Sequence, residues 1–169
     1  MPQPHTNAEL EVRLWDEIKR GRFGMLLAPA DSGASVCQPM TAFAEPREAA
    51  LWFYIADTTE LARSVATAEC KAMFIFQDKD QDLHACLSGR LRVDKDRSRL
   101  EKYWNPHVAA WFPGGKADPN LTMLCFEAQG AEVWLSETGP VKYGWEILKA
   151  NATGSRPDVG EHAQLSLGR

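Results

Sequence analysis

The sequence predicts a mainly β fold, a small antiparallel Greek-key barrel with peripheral helices, and three observations carry that expectation. Seven short apolar segments, residues 23–28, 34–43, 51–55, 71–76, 83–93, 121–126 and 131–135, read as strands punctuated by turn-forming residues. Only short helical patterns interrupt the series, which argues against a βαβ sheet. The chain has 169 residues, the size of one domain with a real core but with apolar surface left over for self-association. A single domain over residues 1–169 is therefore expected, with an N-terminal helix at 8–20, a barrel at 22–135, and a C-terminal helix and tail at 140–169.

Each element has its own signal. Thr6-Asn7-Ala8-Glu9 is a capping box, and Leu10, Leu14, Trp15 and Ile18 follow at helical spacing until Gly21 closes the helix. A turn from Pro29 to Gly33 joins the first two strands into a hairpin. A second turn, Glu45-Pro46-Arg47-Glu48, precedes the run Leu51-Trp52-Phe53-Tyr54-Ile55. Asp57 then offers a carboxylate cap to a short helix, with Glu60 three residues on. Gln77 to Asp82 marks another hairpin turn. From Leu83 to Val93, apolar Leu83, Ala85, Leu87, Leu91 and Val93 alternate with His84, Cys86, Ser88, Arg90 and Arg92, the pattern of a two-faced strand. Residues 94–104 return to helical character. The last two strands, 121–126 and 131–135, are expected to pair with each other, and a helix runs from Val141 to about Asn151. Residues 154–158 read as loop, suited to drape on a partner.

Composition narrows the function classes. Lys plus Arg number 19 against 23 for Asp plus Glu, giving a formal charge of −4, so nothing draws the surface as a whole to nucleic acid or an anionic membrane. No apolar run approaches the roughly 20 residues of a membrane span, and Met1-Pro2-Gln3-Pro4-His5 lacks the pattern of a signal peptide, which predicts a cytoplasmic protein. Cys37, Cys70, Cys86 and Cys125 are widely spaced in apolar surroundings and are expected as buried free thiols. His5, His84, His107 and His162 are scattered, and no spacing matches a metal site. Nucleophile elbows, Rossmann glycine fingerprints and Walker loops are all absent, which excludes the hydrolases and nucleotide binders that need them.

Two segments stand out. From Trp104 to Pro119 the chain packs two Trp, a Phe, three Pro and two Gly, so its aromatic rings sit on a stiff, sharply turned segment. Such a loop can present Trp111 and Phe112 to a planar ligand or partner, or it can plug one end of a core. At Asp57-Thr58-Thr59-Glu60-Leu61-Ala62-Arg63, two hydroxyls and free amides with Arg63 one turn on could hold a phosphate; ordinary capping beside a solvated Arg is the other reading.

The order of Gln38-Pro39-Met40-Thr41, Leu51-Trp52-Phe53-Tyr54, a Thr-rich helix start, Ser88-Gly89-Arg90, Trp104-Asn105-Pro106, Trp111-Phe112-Pro113-Gly114-Gly115 and Ala131-Glu132-Val133-Trp134 resembles the pyridoxamine 5'-phosphate oxidase-like flavin-binding split barrels. More narrowly it is similar to their bacterial general stress protein branch, over about residues 8–165. The resemblance implies a six-stranded antiparallel split barrel that forms a homodimer, with FMN in clefts between subunits. It further implies that Gln38, Pro39, Met40 and Thr41 run along the flavin, that Ile55, Ala56, Thr58, Thr59 and Arg63 face its phosphate, that His84 approaches the cofactor, and that Trp111 and Trp134 come from the second subunit.

Two positions depart from the branch. Neutral Gln38 stands where Arg is usual before Pro-Met, and Leu61 where the helix often carries Lys. One lost charge-assisted contact is worth roughly 1.5–3 kcal/mol, which lowers the expected flavin affinity. The basic residues that position pyridoxamine phosphate in the true oxidases have no counterpart in the C-terminal segment. Three functions follow: an FMN-dependent oxidoreductase related to the general stress response, a flavin-binding or storage module without turnover, and a split barrel for another cofactor such as heme or a deazaflavin.

Overall fold

In the computed structural model, which describes residues 5–30, 32–136, 140–156 and 160–168, the chain builds one antiparallel sheet with helices around it. In chain order the elements are α1 (Asn7–Gly21), β1 (Phe23–Pro29), β2 (Ser35–Thr41), β3 (Phe43–Glu45), β4 (Ala50–Ala56), α2 (Glu60–Ser64), β5 (Cys70–Gln77), β6 (Leu83–Asp94), α3 (Arg97–Tyr103), α4 (Pro106–Ala109), β7 (Leu121–Leu135), α5 (Pro140–Thr153) and β8 (Glu161–Ser166). The strands lie side by side in the order β2-β1-β5-β6-β7-β4-β3, and β8 pairs with β7. Eight strands thus take part where the resemblance implies six.

The segment expected as one strand over 34–43 is broken at Ala42, and that break sets the architecture. β2 is one end of the sheet and β3 the other, yet only Ala42 separates them along the chain. Six inter-strand spacings would put the edges about 29 Å apart in a flat sheet, whereas two residues reach only about 7 Å. The sheet therefore curls into a half-barrel. Ala42 is buried at the turning point, and its N–H donates to the Arg22 carbonyl at 2.7 Å.

The concave face holds the main core. Leu26, Ala28, Met40, Leu51, Phe53, Ile55, Phe74, Phe76, Leu87, Leu91, Leu124 and Phe126 meet there, and α1 contributes Leu10, Leu14, Trp15 and Ile18. The capping box is present: the Thr6 hydroxyl accepts from the Glu9 N–H at 3.3 Å, and the Glu9 carboxylate accepts from the Thr6 N–H at 2.7 Å. The left-handed residue that ends α1 is Arg22 (φ 62°), one position beyond the expected Gly21. At the β5–β6 turn the buried Asp78 carboxylate accepts from the N–H groups of Asp82 and Leu83 at 2.9 and 3.0 Å.

The expected strands 121–126 and 131–135 do not pair with each other; they are two halves of β7. The first half pairs with β4 and the second with β8, while β6 runs along the other side. Register slips between Ser88, opposite Gly130, and Gly89, opposite Ala128, leaving Gln129 as the extra residue of a bulge. β8 itself carries too short and polar a pattern to announce a strand, and part of the loop expected over 154–158 lies outside the described residues. Of the four thiols only Cys125 is buried; Cys37 is exposed and Cys86 half-buried because their side chains fall on the convex face, while Cys70, at the start of β5, is half-buried at the margin of the main core.

β4 is apolar along its whole length because it is buried on both faces. Leu51, Phe53 and Ile55 face the main core, and Ala50 and Trp52 face a second one with Phe43, Val108, Phe112, Met123 and Cys125. This second core is roofed by α3, α4 and the aromatic loop. Trp52 donates its indole N–H to Asp94 Oδ2 at 2.6 Å, and the Arg99 guanidinium lies 4.5 Å from the center of its ring. The Tyr103 ring stacks on Phe43 at 5.2 Å.

The aromatic loop does both things the sequence allows. Asn105 Oδ1 accepts from the N–H groups of His107 and Val108 at 2.9 and 3.2 Å, and Asp118 accepts from Gly114 and Asn120 at 3.0 and 2.9 Å. On this braced segment Phe112 plugs the second core, while Trp111 is 82% exposed.

Four substitutions test this packing. A Cβ at Gly89 would stand 2.1 Å from the Glu127 carbonyl oxygen, so Gly89→Ala is expected to cost about 3 kcal/mol, read as a lower urea midpoint at unchanged slope. Gly144→Ala, with nothing within 4 Å and a helical backbone, should instead gain about 0.5–1 kcal/mol. Phe112→Ala should cost about 3–5 kcal/mol, whereas Trp111→Ala should leave the melting temperature of the cofactor-free subunit nearly unchanged.

Candidate functional site

Curling the sheet brings its two ends near each other without joining them, and the gap is where most of the sequence-predicted residues gather. Among the described residues β2 pairs with β1 alone and β3 covers β4 over Ala50–Trp52, so one side of β4 from Phe53 to Ala56 has no described strand beside it. β2 approaches β4 across the gap, and α2 packs against β1 and β2. Gln38, Pro39, Met40 and Thr41 line one side, and Ile55, Ala56, Thr58, Thr59 and Arg63 the other.

The side chains here have distinct standing. Met40 is buried, and Gln38 Nε2 lies 3.2 Å from its sulfur, so both point to the concave side, while Pro39 points to the convex one. Ile55 belongs to the main core, so only its backbone can reach a ligand. The cap of α2 is Thr59 rather than the expected Asp57: its hydroxyl accepts from the Ala62 N–H at 3.2 Å and donates to the Ala56 carbonyl at 2.9 Å. Thr59 thus ties the helix to the end of β4, and its hydroxyl is already engaged. Thr58 and Arg63 are exposed, and Arg63 makes no ion pair among the described residues. A phosphate here would meet the Thr58 hydroxyl, the Arg63 guanidinium and the unpaired strand edges.

His84 and Trp134 lie elsewhere in the subunit. Successive strand registers place Thr41, Phe23, Gln77, His84, Trp134 and His162 in one row across the convex face. His84 is three strands from Thr41, about 14 Å, and Trp134 is four strands away, about 19 Å. Trp134 stacks on His162 with ring centers 5.1 Å apart. Trp111 stands on the loop over the second core, the cluster that Ala56 also borders. Within one subunit, then, nine of the twelve predicted residues gather at the gap, and His84 and Trp134 do not.

The convex face carries what motif reading overlooked. Phe23, Met25, Met73 and Ile75 are exposed there on the adjacent strands β1 and β5, with Met25 directly opposite Ile75. Their signal was available: β1 and β5 are apolar at successive positions, as in a strand covered on both faces. Near Gln129, Leu27, Pro29, Lys71, Met73 and Ser88 line an open concavity of about 450 Å³ on the same face.

Titration points away from acid–base catalysis at the second core. Burial pushes the Cys125 thiol up to about 12 and the Tyr54 hydroxyl above the ordinary phenol range, and Tyr54 donates to the Leu100 carbonyl at 2.5 Å. Both are structural at neutral pH. Among the described residues no group of His, Cys, Asp and Glu is arranged to hold a metal ion, and no helix is long and apolar enough to cross a membrane.

Comparison with known proteins agrees with the half-barrel fold. The family model described as pyridoxamine 5'-phosphate oxidase like matches residues 9–158. A candidate general stress protein 26 from Jannaschia sp. CCS1 is 34% identical, with 94% of this chain and 99% of that one covered at a TM-score of 0.76. The general stress FMN/FAD binding protein of Xanthomonas citri is 35% identical, with 78% and 92% covered at a TM-score of 0.70. A heme binding protein from Mycobacterium smegmatis, 15% identical with 79% and 55% covered at a TM-score of 0.55, shares the fold. No curated protein matches. The half-barrel, its open gap and these matches together place the chain in the pyridoxamine 5'-phosphate oxidase-like family of split barrels.

Proposed function

We propose that the protein is a homodimeric, cytoplasmic FMN-binding split barrel, an oxidoreductase related to the general stress response. The observation that carries this reading is the gathering of Gln38–Thr41, Ile55, Ala56, Thr58, Thr59 and Arg63 around the open gap of the barrel. The 35% identical Xanthomonas citri protein, itself an FMN/FAD binding protein, supports the choice of a flavin.

The residues present fit such a group. FMN joins an apolar tricyclic ring, a polar ribityl chain and a dianionic phosphate, and needs a surface graded in the same way. Arg63 and the Thr58 hydroxyl supply charge and a donor for the phosphate. Thr59 fixes both to the end of β4. Unpaired backbone groups of β2 and β4 offer hydrogen bonds to the ribityl hydroxyls, and exposed Pro39 gives the ring an apolar wall. When bound, the flavin supplies the redox chemistry and the chain orients it.

A dimer completes the arrangement. His84 and Trp134 lie three and four strands from Thr41 within one subunit, and a two-fold partner brings a second set of such side chains, exposed Trp111 among them, to the gap. Truncation of the loop Trp would then remove ligand contact while sparing the cofactor-free fold. Gln38 and Leu61 leave Arg63 as the gap's cation, so its loss should dominate the phosphate energetics.

The test is a binding comparison. Freshly purified protein should show flavin absorbance and release FMN on denaturation, and light scattering should return twice 18.9 kDa. Arg63→Ala should weaken FMN about ten-fold or more while riboflavin, lacking the phosphate, changes little. Equal losses for both ligands would remove Arg63 from the phosphate site, and a heme spectrum would replace the flavin reading. Anaerobic reduction of the bound flavin by NADH or NADPH distinguishes an oxidoreductase from a storage module.

A further inference from the structure

α5 sits in an excursion the sheet does not require. Leu135, the last residue of β7, pairs with Glu161, the first of β8, so the chain leaves and returns at the same rung. About two residues would make that turn. The excursion instead carries a 14-residue helix.

That helix is apolar on two opposite sides. At about 100° per residue, Ile147 and Ala150 share one side and are half-buried. Trp145, Leu148 and Ala152 share the other, where Trp145 is 66% and Leu148 67% exposed. Polar Glu146, Lys149 and Thr153 run between the two stripes. A surface helix needs one apolar stripe; a helix with two is built to lie between two bodies.

The same chain has a second uncovered apolar surface, the convex β1–β5 face, where Phe23 is 69% exposed and Met25, Met73 and Ile75 lie beside it. Together with Trp134 and the outer stripe of α5, these side chains expose roughly 800 Å², the amount each partner buries in a stable interface of standard size. Neither surface alone approaches that area. In a closed two-fold pair the contact forms twice, each subunit's α5 stripe covering the partner's sheet face once.

We propose that α5 is a clasp: in the dimer it crosses to the partner subunit and seats Trp145 and Leu148 on the partner's β1–β5 face, while its Ile147 side stays on its own body. The inference rests on the dimeric reading above. It goes further in assigning the contact to an arm outside the barrel, which makes dimer strength separable from the flavin site.

Sedimentation of the full-length protein and of Trp145→Ser combined with Leu148→Ser tests it. Both side chains face solvent within the subunit, so the variant should keep its circular dichroism and raise the dimer dissociation constant roughly 100-fold. An amine-reactive cross-linker applied to mixed isotopically heavy and light wild-type chains should join Lys149 of one chain to Lys71 of the other, since Lys71 is exposed on the convex face of β5. This second measurement does not depend on the variant folding. A wild-type dimer whose dissociation constant is unmoved by the double substitution, or Lys149–Lys71 links found only within single chains, would overturn the clasp and leave the dimer standing. A monomeric wild type would overturn both.

Discussion

A single residue between two sheet edges governs this molecule. Because β2 and β3 occupy opposite ends of the strand order and are joined through Ala42, the sheet has no flat solution. It must curl until its ends nearly meet. Closure stops short because β3 is only three residues long and covers β4 over the same short stretch. The gap that remains is a consequence of connectivity and not of any side chain that lines it. Backbone groups along its two sides are the ones the sheet cannot pair, and free donors and acceptors at a fixed spacing are what a polar ligand needs.

Curling also sorts the apolar residues into three classes. Those on the concave side are buried by the sheet and α1, and those on the outer side of β3, β4 and the first half of β7 are buried by α3, α4 and the aromatic loop. Those on the convex side of β1 and β5 have no element over them among the described residues of their own chain. The first two classes account for the continuous apolar run of β4. The third leaves Met25 opposite Ile75 in water, an arrangement that favors association at roughly 25 cal/mol per Å² covered. The gap proposed for flavin and the uncovered face proposed for a partner are thus both products of the same closure.

Local signals were legible wherever a few neighboring residues decide the outcome. The α1 capping box, the buried Leu10, Leu14, Trp15 and Ile18, the hairpin at Asp78 and the alternation of β6 follow from spacing alone. Where the deciding partner is distant, local reading slipped. Asp57 and Thr59 are equally good caps by composition, and Thr59 prevails because its hydroxyl also reaches the carbonyl of Ala56. Gln129-Gly130 looks like a turn between two strands, and it is a bulge because β6 continues beside it and Gly89 admits the Glu127 carbonyl. β8 is recruited only by the exposed side of β7. The gathering at the gap was legible through resemblance, whereas the separation of His84 and Trp134 from it emerges only from counting strands across the registers.

The aromatic loop shows how anchoring and display can be adjacent. Trp111 and Phe112 sit in successive tight turns, their N–H groups donating to Val108 and Ala109. Successive side chains in such a turn diverge by about 100°, so a loop that buries one must expose the next. Phe112 fixes the segment to the second core, and the Asn105 and Asp118 brackets hold it without help from the indole. Displaying Trp111 therefore costs the subunit little order, and its surface remains available to a partner or a planar ligand. A mobile loop would lose conformational entropy on binding; this one has already lost it on folding, and a planar ligand gains from that preorganization.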